Sequence, residues 1–140
     1  MKKIIVILVI TIMMVGCTQK DGVKDDIPLD QSINFVQSEI VKETGNFIDN
    51  IENKEYKEIQ KNCTNEMKKE FDNTKNNKIE LLSELGKQMN IITEKYYESN
   101  ETGETLAMAE LTIEYEKGKV DYTIAFDKDM KLAGLIFQIK

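Results

Sequence analysis

The chain has 140 residues, with 19 lysines and arginines against 25 aspartates and glutamates, and its formal net charge is −6 at pH 7. An acidic chain without a basic cluster is a poor candidate for nucleic-acid binding, because neutralisation of phosphates by basic side chains supplies most of that affinity. The chain contains no histidine, which removes the usual general base near neutral pH and every Ser-His or Cys-His nucleophile. We therefore expect a non-enzymatic protein with no metal, no cofactor and no nucleic-acid partner.

The first residues have the pattern of an export signal. Two lysines precede an apolar run over residues 4–15, in which only Thr11 is polar, and the run ends at Gly16-Cys17. A basic start, a short apolar run and a small residue at the cleavage site are typical of a secretory signal. The run is too short for a good membrane span, which needs about 20 residues. We expect residues 1–16 to be removed.

The end of this signal resembles the lipobox of bacterial lipoproteins, at Met14-Val15-Gly16-Cys17. The resemblance implies cleavage between Gly16 and Cys17 and a diacylglyceryl group on the Cys17 thiol. Two or three acyl chains give stable anchoring, which would hold the protein at the extracytoplasmic face of the cell membrane. The alternatives are an ordinary secretory signal in which Cys17 is incidental, or an uncleaved anchor.

Residues 17–33 are predicted to be the lipidated cysteine and a flexible tether. They are polar, include Gly22 and the only proline, Pro28, and carry no sustained apolar period. The remaining residues, 34–140, are predicted to form a single domain.

The first half of this domain has helical periodicity. Apolar residues recur at three- and four-residue intervals from about Asn34, as on one face of an amphipathic helix. A second short helix is predicted over residues 54–62, a third after the N-cap residue Thr64, and a fourth after a polar break at residues 73–77. The predicted inward residues are Val36, Ile40, Phe47, Ile48 and Ile51 in the first helix, Tyr56 and Ile59 in the second, Met67 and Phe71 in the third, and Ile79, Leu82, Leu85 and Met89 in the fourth.

Cys63 is the second of the two cysteines. If Cys17 carries lipid, Cys63 has no intramolecular disulfide partner. It follows Tyr56 and Ile59 at helical spacing, so we expect it to be a small buried apolar residue rather than a nucleophile.

The second half of the domain alternates with period two from Leu106 to Glu116, which predicts a strand with one apolar face. A two-residue turn at Lys117-Gly118 and a second turn at Asp129-Met130 give three antiparallel strands, and residues 91–99 are a candidate fourth. The fold class is therefore α+β, with N-terminal helices on a curved antiparallel sheet of three to four strands. The predicted pairs are Tyr115 with Val120, Ile113 with Tyr122, Leu111 with Ile124, Phe126 with Ala133, Ile124 with Leu135 and Tyr122 with Phe137.

Several core positions resemble the domain of unknown function 3887 family over roughly residues 35–140. The likeness lies at Phe47-Ile48, Tyr56, the Thr64-x-x-Met67-Lys68 step, and the ending from Ile124-Ala125-Phe126-Asp127 through Leu132-Ala133-Gly134-Leu135-Ile136-Phe137. The resemblance implies an extracytoplasmic protein, often a lipoprotein, with a fold similar to nuclear transport factor 2, in which helices and a curved sheet form a cone. It carries no catalytic residue with it.

Such a cone often holds a pocket between helices and sheet. Four tyrosines are candidates to line a small-ligand pocket, and the alternative is a cone closed by its own side chains. An isomerase-type enzyme would also need a carboxylate inside the pocket, whereas the nearby acids are predicted on the opposite face. The candidate pocket residues are Tyr56, Tyr96, Tyr97 and Tyr122, and the outward acids are Glu110, Glu114 and Asp121.

The outer face of the sheet is predicted to carry apolar residues near Ala125 and Gly134. Apolar side chains on a wet face favour a protein partner or a homodimer contact, and the alternative is a shifted register that buries them. The same register places Glu114 opposite Asp121, where a calcium ion could bridge carboxylates. We expect a solvated acidic face with lysines reaching over it instead. The candidate partner surface is Met108, Leu132 and Ile136.

Overall fold

The structure, a computed structural model, describes residues 4–6, 26–73, 77–100 and 103–140. The cleavage and lipidation residues Gly16 and Cys17 lie outside this part of the chain. No helix in the described ranges is long and apolar enough to cross a membrane. The elements are β1 (Ile4–Val6), β2 (Ile27–Pro28), a 3-10 turn (Leu29–Gln31), α1 (Gln37–Glu52), α2 (Tyr56–Lys61), α3 (Asn65–Asn73), α4 (Asn77–Ser83), β3 (Gln88–Ser99), β4 (Leu106–Tyr115), β5 (Gly118–Phe126) and β6 (Leu132–Ile139).

The strands form one antiparallel sheet in the order β1-β6-β5-β4-β3-β2. The four long strands, β3 to β6, form a meander, and the candidate strand over residues 91–99 is part of β3. Two short edge strands, β1 and β2, extend the sheet beyond the predicted three to four strands. Strand β1 lies within residues 1–16, whose removal the export pattern predicts, and a chain without those residues would keep β2 to β6. The predicted α+β class is confirmed.

Helix α1 buries the stripe that its periodicity predicts, from Ile40 to Ile51. Thr44 is tolerated in this stripe because its hydroxyl donates a 2.7 Å hydrogen bond to the carbonyl oxygen of Ile40. The prediction that Val36 faces inward is wrong. Val36 is the N-cap residue, its backbone is extended, and its side chain is exposed.

The short helices α2 and α3 bury Ile59, Cys63, Met67 and Phe71, as predicted. Thr64 caps α3, because its hydroxyl oxygen accepts a 3.3 Å hydrogen bond from the backbone N–H of Met67. The Cys63 thiol donates to the carbonyl oxygen of Ile59, and burial raises its pKa to about 12. This thiol is therefore protonated and inert at neutral pH.

Helix α4 ends at Ser83, earlier than its apolar spacing predicts. Gly86 has a positive φ of 84°, a left-handed conformation that ends helices and suits glycine. The chain then enters β3 at Gln88, so Met89 is an exposed strand residue and not an inward helical one.

The β4–β5 hairpin is shifted by two residues from the predicted register. The turn is Glu116-Lys117, and the observed pairs are Tyr115 with Gly118, Ile113 with Val120 and Leu111 with Tyr122. A two-residue shift keeps every side chain on its predicted face, because strand periodicity is two. The shift changes the outer pairs, however, and Glu114 lies opposite Lys119 instead of Asp121.

The β5–β6 pairs Ile124 with Leu135 and Tyr122 with Phe137 are confirmed. The predicted pair of Phe126 with Ala133 is wrong, because the register shifts between Ala125 and Phe126. This irregularity places Leu132 opposite Phe126 and turns its side chain into the core between helices and sheet.

Candidate functional site

The four candidate pocket tyrosines do not converge. Tyr122 is fully buried, while Tyr56 and Tyr96 are half-buried at the margin of the core. Tyr97 lies on the opposite face of the sheet, where its hydroxyl donates a 2.8 Å hydrogen bond to Glu110 and its ring lies 4.9 Å from the Lys95 ammonium.

Among the described residues, a small cavity lies between the helices and the sheet. This cavity, between α1, α2 and the β5–β6 turn, has a volume of about 20 Å³, and Phe47, Ile59, Phe126 and Leu132 are among its lining residues. One water molecule needs roughly 10–15 Å³ measured in this way. The cavity is therefore of water size, and none of the four candidate tyrosines lines it.

A buried pair of tyrosines takes the place of the predicted pocket. The hydroxyl oxygens of Tyr115 and Tyr122 are 2.7 Å apart, on neighbouring strands. Burial raises the pKa of Tyr115 to about 12 and that of Tyr122 well above its usual value. Both phenols are neutral at physiological pH, and the alternating pattern predicted their inward direction but not their contact.

Replacing Tyr115 with phenylalanine removes this hydrogen bond without opening a large cavity. We expect the free energy of unfolding to fall by about 1–3 kcal/mol in urea denaturation near pH 7, because the buried Tyr122 hydroxyl is left without its Tyr115 partner. Because the folded-state pKa of Tyr115 is raised, its stabilisation should be present below the unfolded-state pKa of about 10 and be lost as the pH rises above it. Tyr56→Phe, which removes a part-buried 3.2 Å hydrogen bond from the Tyr56 hydroxyl to Ser83, is the control. An equal loss there would contradict a special role for the buried tyrosine pair.

Glu98 is a buried carboxylate on β3, with 3% of its surface exposed. Its Oε1 accepts hydrogen bonds from the Ser32 hydroxyl at 2.7 Å and from the Asn34 side-chain amide at 2.9 Å. Burial alone would raise the pKa of Glu98, but the hydrogen bonds from Asn34, Ser32 and Asn100 outweigh it and leave the pKa below its usual value. The carboxylate is therefore ionised and serves to hold the segment before α1 against the sheet.

This segment, residues 27–36, is named the strap. It begins with β2, which pairs with Tyr97 and Glu98, and it buries Leu29 and Phe35. Most of the strap lies in the predicted tether, yet these residues pack on the domain. Nothing in the local periodicity indicated this, because the strap is fixed by one distant carboxylate.

The candidate partner surface is not continuous. Leu132 is only 3% exposed and belongs to the core, so its assignment to an outer surface is wrong. Ile136 is 45% exposed and lies opposite Thr123, whereas Met108 is half-buried opposite Ala125. One apolar side chain, Ile136, is therefore well exposed among the three.

A larger exposed apolar surface lies at the free edge of β3. Within the described residues, β2 pairs with this edge only at Tyr97 and Glu98, so residues 88–95 have no strand on their outer side. Their register with β4 skips Met89 and Ile92, which marks two bulges. Met89, Ile91 and Ile92 are 65%, 45% and 47% exposed. Residues 88–95 are named the β3 edge.

The apolar spacing of the sequence does not predict the β3 edge, because it continues the fourth helix through Met89 and gives residues 91–99 no clear inward face. Two apolar residues in a row, Ile91-Ile92, break the alternation of a half-buried strand. This break in the alternation is the sequence feature that indicates an exposed apolar side chain on β3.

The described residues hold no group of three or more Cys, Asp or Glu side chains placed to bind a metal ion. Glu114 and Asp121, which were predicted to face one another, are not paired in the observed β4–β5 register. Asp121 instead accepts a 2.7 Å hydrogen bond from Thr112 and pairs with the Lys140 ammonium at 2.6 Å.

The sequence was compared with known protein families, curated proteins and solved structures. Residues 45–135, more than half of the chain, match the family described as protein of unknown function DUF3887. The chain belongs to the DUF3887 family. No curated protein and no solved structure matches it. The match begins within α1 and ends within β6, so it includes the Tyr115–Tyr122 pair, Glu98 and the β3 edge of this DUF3887 protein.

Proposed function

We propose that this DUF3887 protein is a lipid-anchored protein of the extracytoplasmic membrane face whose domain binds a protein segment at the β3 edge and catalyses no reaction. The anchor is the lipidated Cys17, supported by the export pattern and the lipobox resemblance at residues 14–17. The observation that carries the binding role is the exposed apolar β3 edge, and the cavity of water size between α1, α2 and the β5–β6 turn supports it.

The proposal extends to the finer fold. Four helices precede a meander of four long antiparallel strands, and the buried residues of helices and strands belong to one core. This order supports a fold similar to nuclear transport factor 2, with the cone closed by its own side chains. A small-ligand pocket has less support, because the cavity between α1, α2 and the β5–β6 turn is of water size.

An isomerase-type activity also has less support. Such a reaction needs a carboxylate in the pocket with a pKa moved towards neutrality. Glu98 is the buried carboxylate of the described chain, and its pKa is lowered, with its oxygen engaged by Ser32 and Asn34.

The occupant of the β3 edge is proposed to be an extended apolar segment of another envelope protein, added as a further strand. Free strand edges present backbone donors and acceptors that pair readily with another chain. The C-terminal half of β3 already pairs with an extended segment, β2, on the same side. Lys87, Glu94 and Lys95 flank the apolar residues with nearly balanced charge, which favours an apolar segment over a strongly charged one.

Photo-crosslinking in intact membranes tests this role. A benzophenone side chain at Ile92 should cross-link to one defined protein, and the same group at the exposed Ile136 should not. Binding of that purified protein to the full-length chain should weaken at least about tenfold in Ile92→Lys, the result expected for loss of about 1.4 kcal/mol, and stay unchanged in Ile136→Lys. Equal cross-linking at both positions, no cross-linking at Ile92, or undiminished binding by Ile92→Lys would overturn the proposal.

A further inference from the structure

Some apolar side chains of the strap are buried in the domain and others are exposed to solvent. Leu29 and Phe35 are buried, whereas Ile33 is 97% exposed and Val36 is 55% exposed. Single exposed aliphatic residues are common on protein surfaces. Ile33 differs because its two neighbours are held in place by hydrogen bonds.

Those neighbours direct Ile33 away from the domain. Ser32 and Asn34 both donate to the Glu98 carboxylate, so the side chains on either side of Ile33 are directed towards the sheet. The Ser32 hydroxyl oxygen also accepts hydrogen bonds from the backbone N–H groups of Asn34 and Phe35, at 3.0 and 3.1 Å. The hydrogen bonds of Ser32 and Asn34 therefore hold the Ile33 side chain in its exposed position. No rearrangement of the strap is needed for Ile33 to contact another surface.

The position of the strap in the chain indicates what it contacts. Eight residues lie between Cys17 and Asp26, which makes nine steps along the chain. At about 3.3–3.6 Å per residue, this length spans at most roughly 30 Å. If Cys17 is anchored in lipid, the strap is the part of the domain that follows the anchor most closely along the chain.

We propose that Ile33 and Val36 enter the interface of the lipid bilayer and seat the domain with its strap towards the membrane. This inference rests on the proposed lipid anchor at Cys17 and adds an orientation to it. The contact is shallow and depends on the anchor, because Asp26 and Asp30 on the same segment are repelled by anionic headgroups. The lipid supplies the affinity, and the two aliphatic side chains restrict rotation about the tether.

Fluorescence of site-specifically labelled, full-length protein in vesicles of phosphatidylcholine and phosphatidylethanolamine tests the seating. A polarity-sensitive dye on Val36→Cys should shift to the blue on reconstitution and be quenched by nitroxide groups on the lipid. The same dye on Lys57→Cys, at an exposed position of α2, should do neither. Cys63 should stay unlabelled because it is buried and its thiol is protonated.

A second variant separates the effect of Ile33 from that of the dye. In the double variant Ile33→Ser, Val36→Cys, the blue shift should be smaller, since one of the two apolar side chains that enter the bilayer is lost while the exposed site tolerates serine. Mass spectrometry of each sample first establishes whether Cys17 carries lipid. Lipidated protein without a shift at position 36, or with equal shifts at positions 36 and 57, would overturn the seating and leave the anchor intact. Absence of lipid on Cys17 would overturn the anchor and the seating together.

Discussion

Replacing Leu132 with alanine is expected to lower the free energy of unfolding by about 2–5 kcal/mol, measured by urea or thermal denaturation. Leu132 is only 3% exposed, pairs with Phe126 across the sheet and bridges to Cys63. It also lines the cavity of about 20 Å³. Truncation would enlarge this cavity, and the surrounding side chains of two strands and two helices cannot all relax to fill it.

Ile136 on the same strand is the matched control, because it is 45% exposed on the other face. Ile136→Ala should change the free energy of unfolding by no more than about 0.5 kcal/mol, as is usual for surface substitutions. A loss at Leu132 as small as that at Ile136 would show that β6 has the regular register without the irregularity at Ala125 and Phe126. Leu132 would then belong to an outer surface.

Removing the Glu98 carboxylate is expected to have the second largest effect. In Glu98→Ala, the hydrogen bonds from Ser32 and Asn34 are lost, and the free energy of unfolding at pH 7 should fall by about 1.5–3 kcal/mol, the usual range for bonds to a charged group. The strap should also loosen, so the backbone amides of residues 32–35 should exchange faster with deuterium. Glu94→Ala, at an exposed carboxylate on the same strand, is the control and should have little effect on either measurement.

The stabilisation from Glu98 should depend on pH. Its folded-state pKa is lowered, so the stabilisation is fully present above the unfolded-state value of about 4.3 and is lost as the pH falls through the folded-state value. The difference in stability between the natural chain and Glu98→Gln should therefore shrink as the pH falls from about 5 through the folded-state pKa of Glu98. A difference that is constant over this range would show that Glu98 does not act through its charge.

Helix positions and strand faces were predictable because their signals are local. Ile40, Phe47, Ile48 and Ile51 recur at helical spacing, and the inward residues of β4 and β5 alternate, so each burial follows from the residues beside it. The cap at Thr64 is likewise a contact between residues three apart. The same reasoning failed at Met89, where the apolar spacing of a helix continued past Gly86 into a strand.

The candidate site was less predictable than the fold. Each candidate tyrosine was a reasonable donor for a ligand, but Tyr97 lies on the outer face and Tyr122 donates to or accepts from Tyr115 inside the core. Glu98 and the strap were absent from the prediction, since the partners Ser32 and Asn34 are 66 and 64 residues away in the chain.

The sequence by itself determined the α+β class, the burial of Cys63 and the inward face of β4 and β5, because a period of three to four or of two is a property of neighbouring residues. The tertiary structure decided the hairpin register, since a shift of two residues leaves the same side chains inside and the apolar pattern cannot distinguish the two. It also decided that Leu132 is buried and the β3 edge is exposed. Those outcomes depend on an irregular pairing at Phe126 and on a short neighbouring strand, β2, and both are contacts between distant parts of the chain.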